Sequence, residues 1–276
     1  MFRKIVFSLL LLHWVGLAKS QTLGNYLGDE TQFYAATKQV NQFFRRFNNE
    51  EDRNGVKYAP NNPKFRENEF RKKYLEILFD AESPNIQPNL KAEFVRSVTQ
   101  PTPQFLEFHN QRWLAEVKAQ FFFNGKAEVA SMFFKLEQDR LGHKWVLDNV
   151  YFKPFNSLFS GDTTGMGKSF LHPMSHEIEF MNLAKVFQQI KNIEFYAEKG
   201  FAPDMTSIFF YELKRNNLKF EAVTEVRFHF FQIKDWYFEV TNFNRSNNNS
   251  GWLISNLIKV PEEQKKVIEN YIFRKE

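Results

Sequence analysis

Residues 113–152 and 219–260 each read as three consecutive strands divided by turn signals, and this repeated trio constrains the fold more than any other feature. In the first, WLAEVKAQFFFNGKAEVASMFFKLEQDRLGHKWVLDNVYF, apolar runs break at Asn124-Gly125 and at Arg140-Leu-Gly142. Asn-Gly between such runs is a strong hairpin signal, because both residues tolerate left-handed backbone. In the second, KFEAVTEVRFHFFQIKDWYFEVTNFNRSNNNSGWLISNLIKV, the breaks fall near Lys234-Asp235 and from Ser246 to Gly251. The third strands share a register, WVLDNV from Trp145 against WLISNL from Trp252, which implies an internal duplication.

Helical pattern lies upstream of each trio. Phe33, Ala36, Val40, Phe44 and Phe47 recur at three- and four-residue spacings after Asp29, and Phe70, Tyr74, Ile77 and Leu78 do so before Ser83-Pro84. A further helix is predicted near Leu90 to Val98. In the second half one helix is predicted from Ser175 to Gly200, with Ile178, Met181, Phe187 and Ile190 toward a core. Another follows Asp204, carrying Ile208, Phe209 and Leu213.

Helix, helix and antiparallel sheet, closing on a strand of the form W-h-h-x-N-h, resembles the ketosteroid-isomerase-like or nuclear-transport-factor-like (cystatin-like) cone fold. The resemblance covers most of residues 25–160 and 170–265. It implies an α+β fold of two similar units, each with helices packed on a curved antiparallel sheet. The expected organisation is a signal peptide at 1–20, a first cone-like domain at 21–158, a linker at 159–172 and a second cone-like domain at 173–276. Such folds host isomerases, dehydratases, scaffolds and secretion-system assembly factors, so the resemblance implies no single activity. Its enzymes use an acid and an aromatic donor inside an apolar cone. Asp148, within the Trp145–Val150 strand, is the nearest acid in such a setting, and its counterpart Ser255 is neutral.

The opening MFRKIVFSLLLLHWVGLAKS has a basic start at Arg3 and Lys4, an apolar run from Ile5 to Ala18, and small residues at Ala18 and Ser20. That pattern is a secretory signal cut before Gln21, its apolar run being shorter than the roughly 20 residues a membrane span needs. Export to the periplasm or beyond is therefore expected, with no stable membrane span after signal removal. The chain has no cysteine, which excludes disulfides and thiolate metal sites. Removing Arg3, Lys4 and Lys19 lowers the formal net charge from +5 to +2. Charges alternate in sign along stretches such as FRENEFRKK, so nucleic acid is not an expected partner. The 34 phenylalanines supply ample apolar area for a core.

GDTTGMGKS, from Gly161 to Ser169, ends like a phosphate-binding loop, but Asp162 stands where the first glycine belongs. Neither a buried strand before it nor a helix after it is signalled, Pro154 and Pro173 interrupting both sides, so it reads as a linker. His172 and His176, with Glu177 and Glu179, sit at or before a helix start and are not stacked on one helical face, so no metal or cofactor is implied. Alternation along 219–231 instead sets Glu221, Glu225, Arg227 and His229 against Phe220, Ala222, Val226, Phe228 and Phe230, and Tyr237, Glu239 and Thr241 share the polar parity. This face is either a binding pocket or a half-exposed sheet surface with cross-strand ion pairs. Glu225, Arg227, His229, Tyr237 and Glu239 are the ligand-binding candidates. His229, a type that titrates near neutrality, and Asp148 are the catalytic candidates. Trp113, Trp236 and Tyr237 could stack on sugar rings if exposed. Asn244-Arg-Ser and Asn248-Asn-Ser are glycosylation acceptors in a eukaryotic source and turn residues in a bacterial one.

The expectation is an exported, non-catalytic binding or assembly module of the bacterial envelope, with a protein or small ligand as partner. The alternatives are a lyase, isomerase or hydrolase using one cone as its pocket, or a membrane-anchored component of a secretion or conjugation machine.

Overall fold

The computed structural model describes residues 39–52, 54–140, 142–156, 158, 183–188, 193, 196–198, 201–245 and 249–273. Both strand trios form as antiparallel meanders. The first comprises β1 (Trp113–Phe123), β2 (Lys126–Asp139) and β3 (Gly142–Phe152); the second comprises β4 (Leu218–Phe230), β5 (Trp236–Phe243) and β6 (Gly251–Lys259). Asn124 and Gly125 take positive φ at the first hairpin, as their sequence signal requires.

The trios do not stand apart. Strand order is β3-β2-β1-β4-β5-β6, and β1 pairs with β4 from Trp113↔Phe230 to Phe123↔Leu218. Where the sequence suggested two sheets in two domains, the first strands of the trios satisfy each other's backbone and merge into one six-stranded sheet. The residues from Val40 onward accordingly form one compact α+β unit. The expected linker, GDTTGMGKS, and the His172 to Glu179 stretch lie outside the described residues.

Helix packing follows from this merger. Helices α1 (Val40–Asn48), α2 (Asn68–Ile77) and α3 (Pro88–Thr99) precede the first trio, yet they pack mainly on the second. Phe43, Phe44, Phe47, Leu75, Phe94 and Val98 meet Phe228, Phe230, Phe238, Val240, Ile254 and Leu257, with Trp113 and Ala115 from β1. Conversely, α6 (Met205–Lys214), capped by Asp204, precedes the second trio and lays Phe209 on Phe121, Ala130, Val150 and Phe152 of the first. The short helices α4 (Lys153–Asn156) and α5 (Leu183–Gln188) complete the order between β3 and α6. Phenylalanine accounts for much of this core, as in the stacked Phe230–Phe238 pair with centroids 4.8 Å apart.

Two apolar faces differ from the periodicity reading. On α2 the buried side chains are Arg71 and Leu75, with Leu78 just beyond, while Phe70 and Ile77 are exposed. Arg71 donates to the carbonyls of Phe47 at 2.8 Å, Val98 at 2.9 Å and Gln104. Two of these belong to the last turns of α1 and α3, whose carbonyls lack intrahelical partners, so a buried cation supplies what an apolar residue could not. Phe187, expected in a core, is exposed. Ile178, Met181 and Ile190 lie outside the described residues, as does the helical pattern before Val40.

Candidate functional site: a charged sheet face and an open strand edge

The second face of the sheet carries the predicted polar residues. β4 places Glu225, Arg227 and His229 on it, β5 places Tyr237, Glu239 and Thr241, and the pairings Arg227↔Thr241 and His229↔Glu239 bring the two rows side by side. Sequence reasoning missed Glu116, which the pairing Glu116↔Arg227 delivers from β1. Its signal was available, since Trp113, Ala115, Val117, Ala119 and Phe121 alternate with Leu114, Glu116, Lys118 and Gln120.

These groups form one continuous network. His229 Nδ1 lies 2.8 Å from the Tyr237 hydroxyl, and Nε2 lies 3.1 Å from Glu116 Oε2. Tyr237 donates to Glu239 Oε1 at 2.8 Å, and Asn256 donates to the same oxygen at 3.0 Å. Arg227 bridges Glu239 at 2.9 Å and Glu225 at 2.7 Å, and Lys118 reaches Glu225 at 2.7 Å. With the phenol hydrogen directed at Glu239, Tyr237 accepts from Nδ1, so the His229 ring is satisfied when one further proton is held between Nε2 and Glu116. The buried Arg227 Nε has no hydrogen-bond partner among the described residues. Burial alone would raise Glu116, but the His229 hydrogen bond and the charges of His229, Arg227 and Lys118 hold it below the usual carboxylate range. Burial, with Glu239 beside it, pushes the Tyr237 phenol far up.

His229 and Tyr237 are each only 2% exposed. Tyr237 is covered by α7 (Lys265–Ile272), a helix the sequence reading did not anticipate although Ile268 and Ile272 are spaced four apart after Pro261. Ile268, Ile272 and Phe273 pack over Leu114, Phe133, Phe231 and Tyr237. Clefts of 240, 230 and 440 Å³ lie elsewhere, beside Arg112 and Lys265, beside Glu93 and Lys234, and between α2 and α3. Asp148 lies on β3, separated from the strand of His229 by two others in the sheet order, and pairs with Lys135 at 3.2 Å. Trp113 and Trp236 are buried like Tyr237, which removes all three as exposed platforms for a sugar ring. Among the described residues no cluster of three or more His, Cys, Asp or Glu is placed to share a metal, and no helix is long and apolar enough to cross a membrane.

A second feature arises where the trios differ. β2 covers β1 from Leu114 to Phe123, whereas β5 pairs with β4 only from Arg227 to Phe230. The chain leaves the sheet after Phe243 because Arg245 pairs with Asp80 at 2.7 Å and Asn249 donates to the Phe79 carbonyl at 2.8 Å. Residues 218–226 of β4 thus pair with β1 on one side and, among the described residues, with nothing on the other. Phe220 and Val223 on this segment are 57% and 51% exposed. Two register shifts against β1 break the simple alternation here, so Ala222 pairs with Gln120 on the polar face. The outer edge of β6, by contrast, is partly closed by Ile254 donating to the Leu78 carbonyl at 2.8 Å and Asp80 donating to the Ile254 carbonyl at 2.9 Å.

No family model, curated protein or solved structure matches this chain.

Proposed function

We propose that the chain is an exported, non-catalytic binding or assembly module of the bacterial envelope, and that it takes a protein partner as an added strand on β4. The open edge at 218–226 supports this reading most. An unpaired row of N–H and C=O groups flanked by exposed apolar side chains is the template for strand addition. β3, which with β6 bounds the sheet, carries His143, Lys144 and Asp148, a charged pattern that discourages pairing. The bulges near Glu221 and Thr224 favour a partner matched to this bent edge over indiscriminate sheet stacking. The side chains best suited to acid–base work bond one another, with both nitrogens of the buried His229 engaged.

We also read the two trios as halves of an internal duplication, merged edge to edge in one cone-like sheet. Trp145 and Trp252, the matching tryptophans, both approach the Phe228 ring, at 6.3 and 4.8 Å.

The test is affinity capture from the envelope fraction of the source, comparing the mature chain with its Val223→Pro variant. Proline removes one edge N–H and spoils strand addition, at a position already beside a bulge. A partner held by the wild type and lost by the folded variant supports the proposal. A partner held equally by both contradicts it.

A further inference from the structure

The largest of the three clefts, 440 Å³, is lined by Lys72 and Glu76 of α2 and by Lys91, Val95 and Arg96 of α3. Helical spacing makes this convergence systematic: Lys72 and Glu76 are four apart, as are Lys91 and Val95, so each helix turns one ridge toward the other. Three cations therefore face one carboxylate. Lys91 Nζ lies 5.0 Å from the Phe79 ring centroid, which holds it over an apolar wall. Lys72 has an i,i+3 surface pair with Glu69, a contact worth a few tenths of a kcal/mol and readily exchanged. No carboxylate among the described residues pairs with Arg96. Burial lowers the Lys91 ammonium from its ordinary value, and Glu76 partly offsets that.

We propose that the α2–α3 cleft binds a phosphate group, with Arg96 offering its planar fork and Lys72 and Lys91 acting as point charges. That division of labour suits a tetrahedral oxyanion better than a neutral ligand. The phosphate could belong to a small soluble molecule or to a lipid headgroup.

The experiment is a residue-resolved NMR titration of the mature chain with inorganic phosphate, against sodium chloride at matched ionic strength. Sedimentation with phosphatidylglycerol vesicles, and with phosphatidylcholine vesicles as control, forms the second arm. Both are repeated with Lys91→Gln/Arg96→Gln, whose side chains lie at the surface or half-buried, and with the conservative Arg96→Lys. Saturable shifts at α2 and α3 that weaken at least about tenfold in the double variant support the proposal with a soluble phosphate, since each lost charged contact is worth about that factor. Vesicle binding alone, lost in the double variant, supports it with a lipid headgroup. No binding in either arm, or binding the double variant retains while its thermal transition is unchanged, overturns it.

Discussion

Replacing Arg71 by methionine is the sharpest test of how the helical layer is held on the sheet. The side chain is fully buried, its guanidinium lies 4.4 Å from the Phe105 ring centroid, and burial lowers it only to about 10, so it is charged at neutral pH. Its three acceptors are backbone carbonyls, which no substitution can remove with it. The Val98 carbonyl would keep its bond from the Gln104 N–H at 3.0 Å, whereas those of Phe47 and Gln104 would lose theirs, at about 1–3 kcal/mol apiece. Methionine returns part of that by restoring apolar contact and relieving the burial of a charge. The net cost is then about 2–4 kcal/mol, that of two orphaned carbonyls less the part returned. For a unit of this size that lowers Tm by roughly 10 °C. Urea unfolding followed by tryptophan fluorescence measures it directly, with Arg71→Lys expected to fall between wild type and Arg71→Met. A methionine variant within about 1 kcal/mol of wild type would refute the claim that the guanidinium ties α1 and α3 together.

The polar face yields a contrast between two variants. His229→Phe strands Glu116, takes one of the two partners of the Tyr237 hydroxyl and should cost about 2–4 kcal/mol, whereas Glu116→Gln can donate its amide to Nε2 and should stay within about 1 kcal/mol of wild type. Chemical denaturation at pH 7 separates the two, and equal losses would dissolve the proposed proton sharing. Glu262 is held at about 2: burial would raise it, but Lys265 at 2.5 Å, Arg112 at 2.8 Å and the Asp235 N–H outweigh that effect. Because the folded value is depressed, its stabilisation is complete above the ordinary carboxylate range and is lost as pH falls toward 2. Glu262→Gln should therefore flatten stability against pH between about 4.5 and 2, and an unchanged acid limb would count against the interaction.

Strand content was legible because it rests on local signals. The Asn124-Gly125 hairpin and the shared parity of Glu225, Arg227, His229, Tyr237 and Glu239 needed nothing beyond alternation along each strand. The merger through β1 and β4 was not legible, because pairing between residues more than a hundred positions apart leaves no mark in either strand. Glu116 went unseen for the same reason, although its own strand alternates clearly. On α2, Phe70 and Ile77 suggested a core face while the neighbouring stripe of Arg71, Leu75 and Leu78 is the buried one. A buried cation satisfying carbonyls from other helices looks like a surface residue in any hydrophobicity pattern. The bulges of β4 likewise follow from its fit to β1 and not from its own composition.

The free edge of β4 is the claim on which the functional reading rests, and amide hydrogen exchange resolved by residue measures it. In an antiparallel edge strand only about half of the N–H groups are bonded inward. The account predicts that, within 218–226, amides pointing away from β1 exchange close to the unprotected rate, while those of β1 and of residues 227–230 are slow. It also predicts that this fast set slows when the partner strand is added. Uniform protection of 218–226 in the isolated monomer would show the edge already covered, and would contradict strand addition as the mode of binding.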